Sequence, residues 1–243
     1  MCTVTFIPTA GGYYFTSSRD EYSGRPSALF PEVYESNGRR LLYPKDPKGG
    51  GSWIAVHESG NVAVLLNGAT RKHIPQADYR QSRGLVLLEI VSAPSPADYF
   101  ENIHLEGIEP FTAILFENGK LYSGKWDGRM KWTETLNPRK AQIWSSVTLY
   151  DPAAILTREN WFNKWLKGIA FPGTLDIIHF HQHGGDGDPF NNILMKRNEQ
   201  LCTNSISSIR LSSGSASFRY IDLVKGDTNE TMLPFQITMP EKA

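Results

Sequence analysis

Cys2 and Cys202 are the only cysteines in 243 residues, and the first directly follows Met1. Removal of Met1 would leave one residue carrying both a thiol and a free α-amine. The amine's reference pKa of about 7.7–8.0 lets it act as a base near neutral pH. It would take the thiol proton, the thiol would attack a carbonyl, and the amine would later protonate a leaving nitrogen. A second-position cysteine can equally be a small buried hydrophobe on a strand, so its neighbours decide.

The elements that must hold these groups follow from pattern. Residues 2–8 and 12–18 are β-rich around Ala10-Gly11-Gly12 and predict an opening hairpin. Residues 19–50 read as a polar excursion with one short strand at 40–43. "GSWIAVHESGNVAVLLNG" predicts two strands, and "SRGLVLLEIVSA" and "SPADYFENIH" two helices, the second with Ser95 as N-cap before Pro96. Residues 111–135 predict a meander turning at Asn118-Gly119 and Asp127-Gly128. Ile155, Trp161, Phe162, Trp165 and Leu166 give helical spacing up to Gly168, and "GTLDIIHFHQH" reads as another helix ended by Gly184-Gly185. "NILMKRNEQLCTNSISSIRLSS", "SASFRYIDL" and "MLPFQITM" are strand-like. Strands at both ends with helices between them, no repeat and no linker, predict one α+β domain over 1–243.

Three blocks together resemble a known family. "SSRDEYSGRPS" behind an initial Met-Cys, "GGGSWIAVHESGNVAVLLN" at 49–67 and "QSRGLVLLEIV" at 81–91 are similar to the NRDE, or transport and Golgi organisation protein 2, family. Arg19, Asp20 and Glu21 match its motif, Ser18 stands for the Asn, and Arg25-Pro26 also fits. The resemblance implies an N-terminal nucleophile hydrolase-like αββα sandwich: two stacked antiparallel sheets between helical layers. It also implies a distant similarity to the penicillin V acylase and bile salt hydrolase group, which begins Met-Cys-Thr and cleaves amides. In that group an Arg and an Asp after the first hairpin are separated by two residues. Here they are adjacent; Asp20 carries over, and Arg19 is kept as a candidate that does not fit the spacing. Asn67 in "VLLNG" and Asn204 in "CTNSISS" resemble the group's oxyanion-hole Asn and its Thr-Asn-Ser segment. The implied roles are physically sound: an Asn amide can donate to a developing oxyanion, and an acid beside the amine can orient it and tune its pKa. Each also has a structural reading: Asp20 and Arg19 could pair across a turn, Asn67 could belong to turn chemistry before Gly68, and Asn204 could pin an edge strand. Arg210 and Arg219 are the candidates for its late Arg, and Glu21 reads as structural.

The expectation is therefore an amidohydrolase acting on a carbon–nitrogen bond. Cys2 is nucleophile and base, Asp20 and Arg19 stand beside it, and Asn67 and Asn204 form the oxyanion hole. The implied partner is a small-molecule amide or acyl ligand, with no cofactor. The alternative is a non-catalytic trafficking protein on the same fold that handles haem or a lipid or acyl ligand. A third reading is an interaction protein with a decayed site. Balanced charge, 25 basic and 25 acidic residues, gives no reason to expect nucleic acid. No apolar run reaches the roughly 20 residues of a membrane span and no leader pattern is visible, so a cytoplasmic location is expected. "HFHQHGGDGD" offers His179 and His183 at i,i+4, but lacks the zinc-hydrolase Glu and the full calcium-loop pattern; no metal is expected. Gly49-Gly50-Gly51 lacks the Gly-Lys-Ser/Thr ending of a nucleotide loop.

Overall fold

The computed structural model describes residues 3–36, 38–198 and 200–235. The expectations that fall on Cys2, and on residues 236–243 at the end of "MLPFQITM", lie outside them.

The chain opens with the expected hairpin, β1 (Thr3–Thr9) and β2 (Gly12–Tyr22). Val4 and Phe6 on β1, and Tyr13 and Phe15 on β2, face one apolar layer. Ile7 and Tyr14 face another. That period of two makes each strand two-sided.

The segment 19–50 departs from expectation. β2 continues to Tyr22, and β3 (Leu29–Ser36) and β4 (Arg39–Lys45) form a hairpin. β3 is an edge strand with Leu29, Phe30 and Val33 exposed. An edge strand needs only one apolar face, so its polar composition hides it. After β5 (Ile54–His57) and β6 (Val62–Asn67) come α1 (Arg83–Ser92) and α2 (Pro96–Asn102). Ser95 holds the N-cap position of α2, but its hydroxyl donates to Glu117 Oε1 (3.1 Å) instead of capping. β7 (Phe111–Glu117), β8 (Lys120–Trp126) and β9 (Lys131–Leu136) form the meander. β10 (Gln142–Ser145), which the sequence pattern did not announce, pairs with β1.

α3 (Pro152–Lys167) starts at Asp151, whose carboxylate accepts the Ala154 amide, and stops at Gly168. α4 (Thr174–His183) ends before Gly184. β11 (Lys196–Arg197), β12 (Leu201–Ser212), β13 (Ser215–Asp222) and β14 (Asp227–Pro234) complete the chain. Residues 192–195, expected as the start of a strand, are irregular.

Two antiparallel sheets result. One runs β10-β1-β2-β12-β13-β14 with β11 beside β12; the other runs β3-β4-β5-β6-β7-β8-β9. Three apolar layers hold them. Phe6, Phe15, Ile209 and Phe218 meet Trp53, Val64, Ile114 and Phe116 between the sheets. Leu87, Ile90 and Phe100 of α1 and α2 cover the second sheet. Phe162, Ile177 and Phe180 of α3 and α4 cover the first. This is the αββα sandwich, α+β in class.

α1 sits unusually close to the second sheet's connecting backbone. A Cβ on Gly51 would lie 2.2 Å from the Gly84 carbonyl carbon, and one on Gly84 would lie 2.9 Å from the Ser52 nitrogen. Both glycines are required by that approach. Ser82 fixes the same end: its Oγ donates to Gly49 O (3.0 Å) and accepts the Leu85 amide (3.3 Å). The N-terminus of α1 is thereby pinned at one end of the sandwich.

Candidate functional site

β2 alternates, so Arg19 and Asp20 go to opposite faces. Arg19 shares its face with Tyr13 and Phe15 and lies between the sheets. Its guanidinium lies 4.9 Å from the ring centroid of Trp53. It is 2 % exposed, and burial lowers its pKa against the opposing pull of Glu21 and Asp46. Nη2 stands 3.7 Å from both Glu21 Oε2 and Asp46 Oδ2, outside hydrogen-bond range. Nη1 has no hydrogen-bond partner among the described residues.

Arg19 lines a cleft of about 370 Å³ at the α1 end of the sandwich. Arg25 lines it too, paired with Asp46 and 3.5 Å from Glu21. Burial alone would raise the Asp46 carboxyl, but the hydrogen bond and charge of Arg25 bring it below its ordinary range. Arg83 stands at the first turn of α1. Its Nη2 pairs with Glu109 (3.0 Å) and its Nη1 donates to Pro110 O (3.2 Å). Burial lowers its pKa, opposed chiefly by Glu109. Asn67, at the end of β6, also lines the cleft. Its backbone carbonyl accepts from Ser146 Oγ (2.7 Å), while its Oδ1 is buried with no partner among the described residues.

Asp20 faces the α3 side of the sheet. It accepts from Thr203 Oγ1 (2.5 Å) and Tyr150 Oη (3.1 Å). Asn204 is the residue at the β12 bulge, between Thr203 opposite Asp20 and Ser205 opposite Arg19. It is buried, and its Oδ1 accepts from Ser205 Oγ (3.3 Å). Of the candidates within the described residues, Arg19 and Asn67 line the cleft, while Asp20 and Asn204 stand behind it. Cys202 is a free thiol opposite Glu21, its pKa raised by burial and by Asp20. Arg210 and Arg219 are elsewhere: Arg210 packs toward the Tyr14 ring, and Arg219 pairs with Glu230 at 2.8 Å. The additional cations of the cleft are Arg25 and Arg83. Sequence reasoning quoted both within its blocks but gave neither a role.

Behind β1 and β2 lies a buried polar cluster. His181 of α4 bonds Thr5 Oγ1 through Nε2 (2.9 Å) and Ser18 Oγ through Nδ1 (2.8 Å). Complete burial, with the charge of Arg158, pushes its pKa down to about 3, so it is neutral. Arg158 donates to Thr3 Oγ1 and to the carbonyls of Asn191 and Asn192. His179 and His183 share the outer face of α4 with rings 4.4 Å apart, as helical spacing requires. Among the described residues no group of three or more His, Cys, Asp or Glu side chains is placed to hold a metal. No helix there is long and apolar enough to cross a membrane.

The cleft draws chiefly on three separate stretches, completed by Asp46, Tyr79 and Glu109: Arg19, Glu21 and Arg25; Gly49 and Gly51 to Trp53 with Leu65 and Asn67; and Gln81 to Gly84. These are the stretches that carried the sequence resemblance. A profile described as Transport and Golgi organisation 2 matches residues 1–167. The chain belongs to the Transport and Golgi organisation 2 family. The family match thus spans both helices that flank the second sheet and all three stretches that build the cleft. Among solved structures the sandwich is similar to two variants of the conjugated bile acid hydrolase from Clostridium perfringens. In one an arginine is replaced by leucine, and in the other a cysteine is replaced by alanine. Each has a TM-score of 0.62 at 14 % identity over 95 % of this chain and 92 % of that one. A Caenorhabditis elegans orthologue of N-acylethanolamine-hydrolyzing acid amidase gives a TM-score of 0.59 at 10 % identity, over 86 % and 92 %. No curated protein matches in sequence. This chain therefore has the fold of known amide-cleaving enzymes.

Proposed function

We propose that the protein is an amidohydrolase whose nucleophile is Cys2 after loss of Met1. The α-amine takes the thiol proton as sulfur bonds to the amide carbonyl carbon. The carbon–nitrogen bond then breaks, and the amine returns the proton to the departing nitrogen. Water cleaves the resulting thioester and restores the thiol.

The observation that carries this reading is the placement of β1's first described residue. Thr3 is held by Ser18 on one side and Ser145 on the other, and its hydroxyl is bonded by the buried Arg158. One peptide bond, about 3.8 Å between Cα atoms, joins it to Cys2. The reading requires Cys2 to share the inward parity of Val4 and Phe6, the side on which Arg19 meets the cleft. Arg19 would then favour the thiolate, and Asn67 would donate to the oxyanion from the cleft, with Asn204 contributing from the β12 bulge behind it. Asp20, held by Thr203 and Tyr150, would orient the amine from the other face.

With a panel of amides and mass detection of released amine, wild type is expected to cleave at least one member. Cys2→Ala should be at background, and Asn67→Ala should lose about 10²–10³ in rate. Undiminished cleavage by Cys2→Ala would contradict the assignment. Ligand carriage has its own supporting observation, a second cleft of about 740 Å³ where Val147, Ile155, Leu156 and Phe190 lie near Arg71 and Lys72. Tight binding of haem or an acyl chain that Cys2→Ala leaves unchanged, with no amide cleaved, would select that reading.

A further inference from the structure

We infer that the 370 Å³ cleft selects small polar amides carrying a carboxylate, and that the carboxylate sits against Arg19, Trp53 and the N-terminus of α1. The amide part rests on the amidohydrolase reading; the anion subsite stands on the cleft itself.

Three arginines and three carboxylates line the cleft, but they are not equally engaged. Asp46 is bonded to Arg25, and Glu109 is shared between Arg83 and His73. Arg19 is left with Glu21 and Asp46 at 3.7 Å, which balance its charge without filling its hydrogen bonds. Its Nη1 is an orphaned buried donor, and so is Nε1 of Trp53, also 2 % exposed. Two orphaned donors on side chains in van der Waals reach of each other call for an acceptor-rich group. A carboxylate offers two oxygens and matches the guanidinium fork.

The third element is α1. Gln81, Ser82, Arg83 and Gly84 line the same cleft, and no acidic residue stands in the helix's first turn. First-turn amides lack intrahelical acceptors and the dipole favours an anion there. Size and lining complete the argument. The volume is at the small end of the roughly 300–1,000 Å³ of ordinary ligand pockets. Trp53, Leu65 and the ring of Tyr79 are its only apolar surfaces among the described residues. No continuous apolar wall is offered to a long acyl chain.

The test compares N-acetyl-L-alanine with N-acetyl-L-alaninamide, isosteres that differ in the charge. Binding is measured by calorimetry on the full chain carrying Cys2→Ala, which prevents turnover. The acid is expected to bind at least about tenfold more tightly, with an advantage that shrinks as salt rises. Adding Trp53→Phe, which keeps a ring and deletes the N–H, should cut that advantage severalfold. Arg19→Lys, which keeps the charge and loses the fork, should cut it as well, so the test survives if either variant fails to fold. Equal affinity for acid and amide, or binding of neither, overturns the inference. Wild-type turnover separates the two readings. An acid that binds but is never cleaved leaves the subsite standing and counts against the hydrolase. Equal cleavage of both probes does the reverse.

Discussion

Arg19 and Asp20 are neighbours in sequence, yet one enters the cleft and the other a buried network behind it. The cause is the strand's period of two, which forbids adjacent side chains a common face. The same parity was open to reading in the sequence, because Tyr13 and Phe15 mark the inward side. The motif match drew both residues into one site instead. His181 gives a prediction at this scale. Its folded pKa is about 3, against about 6.5 for an unfolded histidine. Below 6.5 the unfolded chain binds the proton that the folded chain refuses. Stability from this residue is thus complete above pH 6.5 and is lost as pH falls toward 3. Denaturant midpoints should show a loss of roughly 2–3 kcal/mol between pH 7 and 4.5 from this group. His181→Leu should flatten that dependence whatever it does to absolute stability. An unchanged slope would show that His181 does not set it.

Among elements, the seat of α1 decides the cleft. The blocks "GGGSW" and "QSRGL" were visible in sequence as a resemblance, but their mutual contact was not. It depends on Gly51 and Gly84 meeting backbone to backbone, a pairing across more than thirty residues that no local pattern encodes. Gly84→Ala is predicted to push the helix start off the sheet at a cost of about 1–3 kcal/mol. Ligand binding in the cleft should weaken with it, while an alanine at the open Gly24 changes neither. Thermal melting and the acid-binding assay read the two effects separately. Long, two-sided strands and capped helices such as α3 were legible for the usual reason, a sustained period. β3 and β10 were not: one is a polar edge strand and the other spans four residues.

For the whole molecule, the sandwich follows from three apolar layers, two of which the alternation of β1 and β2 already implies. The middle layer centres on Phe6, Phe15 and Phe116, with ring centroids 5.0–6.4 Å apart. Phe15→Ala is predicted to cost about 3–5 kcal/mol, and a shift under about 1 kcal/mol in denaturation would place the core elsewhere. The fold and the family account for where the cleft lies. The chemistry turns on whether Cys2 carries a free amine. The intact mass of the native protein, taken before and after brief substoichiometric thiol alkylation, tests that most directly. Loss of one methionine is expected, with label on Cys2 ahead of Cys202, whose half-buried thiol has a raised pKa. Retained Met1, with the two cysteines labelled at equal rates, would contradict it.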